Sequence, residues 1–147
     1  MEIICKDRVF GEMTYKHRWY KQQSVTMFGK SWNIKVVAKA YSGKRITEEQ
    51  RRAYRIFSEK EEEVLKRVGE KLKSYVNDSL EGGLVGGDEI KKVEQVCELE
   101  QMITPTSLLF KQDGTAILLF DCVWDVENGV AVKLFPEMIV GPQDIFL

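Results

Sequence analysis

Few side chains in this chain could do chemistry, and they are widely spaced. Residues 27–32, "MFGKSW", contain Gly29-Lys30-Ser31, the tail of a phosphate-binding loop. The full loop is G-x-x-x-x-G-K-[ST], whose backbone N–H groups cradle phosphate as a strand turns into a helix. Its first glycine would fall at position 24, which is Ser24, and the residues after Ser31 alternate as in a strand. The string therefore reads as a hairpin, with Gly29-Lys30 as a two-residue turn.

"DCVWDVE" offers Asp121, Asp125 and Glu127 as metal ligands. On an extended strand, residues four apart lie about 13 Å from each other. Metal–oxygen bonds of about 2.0–2.6 Å cannot join the two aspartates. Asp125 is expected to start a turn through an Asx hydrogen bond. Asp121 sits in an otherwise apolar run and needs either water or a basic partner from a helix. His17 is the one histidine. No nucleophile signature surrounds Cys5 or Cys97, so a His-Cys pair has no local support. Cys5, Cys97 and Cys122 form no CxxC and are odd in number, against a disulfide framework or a thiolate zinc site. No catalytic residue, metal or cofactor is assigned, and the expectation is a non-enzymatic protein.

One stretch suits binding. "YKHRWYK", residues 15–21, interleaves aromatic and cationic side chains. That mixture fits single-stranded nucleic acid, where bases stack and phosphates meet cations. It also fits a protein hot spot, where Trp, Tyr and Arg are enriched, or a plain hairpin whose aromatics enter the core. Lys16, Arg18, Trp19 and Lys21 are the candidate binding residues.

These residues need a scaffold, and the hydrophobic pattern describes one. "SWNIKVVAKAY" puts Trp32, Ile34, Val36, Ala38 and Ala40 on one face and Asn33, Lys35, Val37, Lys39 and Tyr41 on a wetter one. That is a half-buried antiparallel strand. Residues 19–28 read as its hairpin partner, with Val25 and Met27 inward. "RVFGEMTY", residues 8–15, reads as another strand, with Gly11 a bulge candidate. From Thr47, an N-cap with Gln50 as capping-box partner, Ala53, Phe57, Val64, Val68, Leu72 and Tyr75 follow helical spacing. Ile56, Leu65 and Val76 widen that stripe. The run "SEKEEE" predicts a kink, or two helices, near Ser58. A glycine-rich loop at about 80–88 is expected to be flexible. A short helix over about 89–97 follows, capped by Asp88, with Ile90, Val93 and Val96 or Cys97 inward. Asp113-Gly114 between two apolar runs signals a hairpin, and "VENG" turns into a last strand, "VAVKLF". "DIFL" reads as a short edge strand or a docked end. The order is β-β-β-α-(α)-α-β-β-β, an α+β single domain over residues 1–147 with antiparallel strands before and after a central helical segment.

The totals agree with a soluble protein: 147 residues, 44% hydrophobic and 31% charged. No apolar run reaches the length of a signal-peptide core or of a membrane span, so a cytoplasmic protein without membrane contact is expected. The net charge of −1 hides a gradient. Residues 1–57 carry 13 Lys/Arg against 5 Asp/Glu, and residues 58–147 carry 9 against 18. Either the halves neutralise each other on folding, or the basic half faces an acidic partner or nucleic acid.

The strings "FGEMTY", "ITEEQ", "ITPTSLLFKQDGTAILLFDCVWDVENGVAVKLFPE" and "VGPQDIFL" resemble a family of small bacterial domains of unknown function. The likeness covers most of the chain and carries no catalytic motif. It implies an association with polymorphic-toxin systems, in which small α+β proteins act as immunity factors. The expected function is binding to another protein, a toxin occluded by its immunity protein being one case. A nucleic-acid-binding module using the basic N-terminal half is the alternative.

Overall fold

The computed structural model describes residues 3–16, 18–40, 45–81, 92–124, 127–135 and 137–146. His17, Asp125, the glycine-rich segment from residue 82 with its Asp88 cap, and the start of the helix expected at 89–97 lie outside the described residues.

Eight strands form one sheet in chain order. They are β1 (Ile3–Asp7), β2 (Gly11–Lys16), β3 (Arg18–Met27), β4 (Lys30–Ala38), β5 (Ile103–Phe110), β6 (Ala116–Cys122), β7 (Val130–Phe135) and β8 (Ile139–Pro142). Between β4 and β5 the chain runs through α1 (Glu48–Glu59), α2 (Glu61–Glu81) and a 3-10 helix at Val96–Gln101. This crossover makes β4–β5 the one parallel pair, and every other neighbouring pair is antiparallel. Parallel neighbours require such a connection, since a tight turn reverses the chain.

The α+β class holds, with four strands on each side of the helices instead of three. At the front, the expected strand over 8–15 splits. Residues 8–10 form a turn because the Asp7 carboxylate accepts the N–H groups of Val9 and Phe10, each at 3.0 Å. Gly11, at φ +84°, then pairs with Asp7 and starts β2. At the far end the edge strand is Ile139–Pro142, and Gln143–Ile145 is a 3-10 turn rather than a strand. The β3–β4 turn is Phe28-Gly29, one residue earlier than expected, since Met27 pairs with Lys30. Both turn residues have positive φ, 58° and 76°, the requirement of a type I′ turn. Phe28 holds this uncommon conformation with its ring buried beside Phe120, centroids 6.3 Å apart.

The helical segment breaks at Lys60, where the SEKEEE run predicts it. Thr47 and Gln50 form the expected capping box. Gln50 is fully buried, and its Nε2 also donates to the carbonyls of Lys39 and Phe110, at 2.7 and 3.0 Å. The start of α1 is thereby tied to the ends of β4 and β5. Of the helix expected at 89–97, residues 92–95 are not helical. Asn77 on α2 bonds both the N–H and the C=O of Val93, holding that residue against α2, and Val96–Gln101 form a 3-10 helix. Val93 points inward and Val96 packs against the core, as expected, while Cys97 is exposed.

The core lies between the helices and one face of the sheet. Ala53, Phe57, Val64, Val68 and Leu72 meet Ile34, Val36, Leu108, Phe110, Leu118, Phe120 and Val132. Ile56 faces outward instead, 40% exposed. Aromatic edges fill the α1 end, where the Phe110 ring lies 5.5 Å from Phe10 and 5.7 Å from Tyr54. No helix among the described residues is long and apolar enough to cross a membrane.

Candidate functional site

Side chains alternate along a strand, so each strand that packs beneath the helices also presents a second set of residues to the other face. On β4–β7 that second set contains Val37, Leu109, Ile117 and Ala131. They are 4%, 2%, 0% and 0% exposed, yet none belongs to the core cluster. The register aligns Tyr20, Val37, Leu109, Ile117 and Lys133 across five consecutive strands. Lys35, Ser107, Leu119 and Ala131 form the row beside them.

The buried apolar residues of α1 and α2 all join the core on the opposite side. No buried apolar residue of α1 or α2 therefore covers Val37, Leu109 and Ile117 on their own face. Tyr20, Lys39, Lys111, Leu119 and Lys133 are all half-buried there. Long lysine stems lie along apolar surface while their ammonium groups stay wet. Lys35 reaches over the Tyr20 ring, its Nζ 5.1 Å from the centroid.

The charge of this face is lopsided. By strand alternation, Lys6, Arg18, Lys35, Lys39, Lys111 and Lys133 stand on it against Glu12 and Asp121. Asp121 is exposed and opposite Thr104. The expected basic partner from a helix does not reach it, because the helices are on the other side of the sheet. Burial, and then the neighbouring charges of Arg18 and Lys111, hold the Lys39 ammonium below its ordinary pKa of 10.5. Among the ion pairs of the described residues, Lys30–Glu100 alone joins the basic and acidic halves of the sequence.

The four residues singled out in the sequence are divided between the faces. Trp19 is buried, its ring 5.1 Å from that of Tyr15. Lys21 also turns inward, donating to the Tyr54 hydroxyl at 2.8 Å and to the Phe10 carbonyl. Arg18 is exposed on the helix-free face, and Lys16 stands opposite it in register. The reading of 15–21 as one surface missed this division, because neighbouring residues on a strand cannot share a face. The residues that join Arg18 are Tyr20, Lys35, Lys39, Lys111 and Lys133. The alternation in "NIKVVAKAY" already separates Lys35, Val37 and Lys39 from the core face. Lys111 comes beside Lys39 only through the parallel β4–β5 pairing, which no local pattern announces.

A second polar group lies at the α1 side. Arg51 donates from Nε to Asp7 at 2.7 Å and from Nη1 to Glu48 at 2.8 Å, and Arg8 also bonds Glu48. Burial alone would raise the Asp7 pKa. The N–H groups of Phe10 and Val9, with Arg51, outweigh it and hold the carboxyl below its ordinary 3.8. Asp7, Arg51, Cys5, Trp19, Arg45 and Ile46 line a cavity of about 190 Å³. The Asp7–Arg51 pair ties the β1–β2 turn to α1. Among the described residues, no three His, Cys, Asp or Glu side chains converge as a metal site.

A family model described as a domain of unknown function (DUF6985) matches residues 9–147. No curated protein matches the chain, and no solved structure does.

Proposed function

From the premise that the chain belongs to this family of domains of unknown function, we propose that it acts by binding another protein on the sheet face opposite the helices. The observation that carries this reading is the patch of Val37, Leu109, Ile117 and Ala131, buried yet outside the core and edged by lysines and Tyr20. Around it the half-buried Tyr20, Leu119 and Lys133 offer a partner both apolar surface and a cation, the mixture found at protein interfaces. Binding is favoured over chemistry because the described ionisable groups beside the patch are mostly lysines, with no base or nucleophile paired to them. Occlusion of a toxin in the bacterial cytoplasm, the setting suggested by the sequence resemblance, is one use for such a face.

The test begins with a partner isolated from the source cells. Leu119→Asp and Lys133→Glu are expected to weaken that complex about tenfold or more, and Lys71→Glu, on the exposed side of α2, to leave it unchanged. The opposite pattern would move the binding surface to the helices. Nucleic acid on the same face is a second reading, favoured by the excess of cations. Of the described aromatics of this face, Tyr20 is engaged by Lys35 and Phe146 lies against Gly141, beside Ala131, which leaves fewer platforms for base stacking. Steep loss of affinity with added salt would favour nucleic acid.

A further inference from the structure

At one end of the helix-free face the strand register lines up like charges. Trp19 pairs with Ala38 across β3–β4, so Arg18 falls opposite Lys39. Ala38 pairs with Phe110 across β4–β5, so Lys39 falls beside Lys111. The ladder continues there, since the Lys39 N–H donates to the Phe110 carbonyl at 2.9 Å. On the other side, Lys16 is opposite Arg18. Arg18 on β3, Lys39 just past β4 and Lys111 just past β5 thus stand at one level of the sheet, in neighbouring segments about 4.8 Å apart.

Like charges directly opposite one another destabilise a sheet. Arg18, Lys39 and Lys111 form no ion pair among the described residues. Asp113, in the turn after Lys111, feels that lysine's charge. Its pKa is held down first by hydrogen bonds from Thr115 and only more weakly by the charge of Lys111. Lys39 is the most constrained of the three, half-buried between the other two, with its main-chain carbonyl held by Gln50. Burial and the two flanking cations both disfavour its charge. An anion over Lys39 would remove that cost at once.

The geometry points to Arg18, Lys39 and Lys111 as a seat for clustered Asp and Glu side chains on the protein partner, an acidic segment laid across the ends of β3, β4 and β5. This rests on the proposed use of the helix-free face and names what is recognised at its rim. Charge complementarity selects the occupant. The seat adjoins the apolar patch through Val37 and Leu109, one alternation step along β4 and β5, so a partner can bury apolar side chains on one and place carboxylates on the other. Arginine adds a planar fork suited to a carboxylate, and the two lysines add mobile donors.

The test titrates a short oligo-glutamate peptide into the full chain and follows backbone amide resonances. Saturable shifts centred on Arg18, Lys39 and Lys111 are expected. Lys39→Gln should weaken binding about tenfold, with Arg18→Gln and Lys111→Gln weakening it less and Lys71→Gln leaving it unchanged. Lys39→Gln should also raise the melting temperature or leave it unchanged, because it removes a disfavoured charge. A lysine kept only for structure would instead lower it. Shifts indifferent to all three substitutions would overturn the proposal. So would tighter binding of inorganic phosphate or a short oligothymidine at the same residues. If Leu119→Asp abolishes the complex with the isolated partner while the three Gln variants do not, the face is right and the seat is wrong. If the seat binds peptide but Leu119→Asp leaves that complex intact, the apolar patch is wrong and the seat stands.

Discussion

The two faces of this sheet are made by the same strands and sealed in different ways. Beneath the helices, Phe110 and Leu118 are covered by residues from α1 and α2, far away in sequence. On the other face, Leu109 and Ile117 are just as buried, in a row with Val37, Tyr20 and Lys133 and beside Leu119 and Ala131. The first arrangement cannot open without unfolding, since it is made by the helices. The second has no buried apolar residue of α1 or α2 over it, and half-buried lysines stand at its edge. That difference is why we place stability on one face and binding on the other.

The contrast predicts a graded set of losses. The largest is Phe110→Ala, which empties the junction of Phe10, Tyr54 and Phe110 and should cost about 3–5 kcal/mol in urea unfolding. Gln50→Ala should follow at about 2 kcal/mol. It orphans the carbonyls of Lys39 and Phe110 and opens the capping box. An equal loss from a helix-free-face residue such as Lys133→Ala would break the comparison.

Asp7→Asn comes next, at about 1–2 kcal/mol near neutral pH, since its carboxylate joins the β1–β2 turn to α1. The folded-state pKa of Asp7 is depressed, so its stabilisation is complete above the ordinary 3.8 and is lost as pH falls through the lower folded value. The gap between the native protein and Asp7→Asn in urea midpoint should therefore close in acid. A gap that persists at the lowest pH would mean that the pairing contributes through packing and not through charge. The smallest effect is Lys35→Ala, within about 0.5 kcal/mol, because an exposed cation–π contact contributes little.

Much of the helix-covered face can be read from local pattern. Thr47 and Gln50 announce the cap, Asp113-Gly114 announces the β5–β6 hairpin, and the inward set Ile34, Val36, Ala38 follows from alternation alone. Local chemistry also hid some elements. The first strand is short and ends in an aspartate whose turn-forming bonds to Val9 and Phe10 are invisible until the chain folds. The last strand carries a glycine and a proline and reads as broken loop. The candidate surface was half legible. Arg18 lies on the helix-free face, whereas Trp19 and Lys21 turn toward the core, and Lys111 reaches Lys39 only through a parallel pairing separated by two helices. Long-range register, not residue type, assembles the basic row.

One strand serves two different ends on its two sides, and adjacent residues of β6 put this to the test. Leu118 points to the helices and Leu119 away from them. Leu118→Asp and Leu119→Asp should be compared by urea unfolding of the full chain. A charge forced into the core at Leu118 should cost more than about 4 kcal/mol and leave little folded protein. At Leu119 the protein should stay folded, with a loss of about 1 kcal/mol or less. Equal losses at the two positions would mean that the second face is core as well, and the binding role assigned to it would fall.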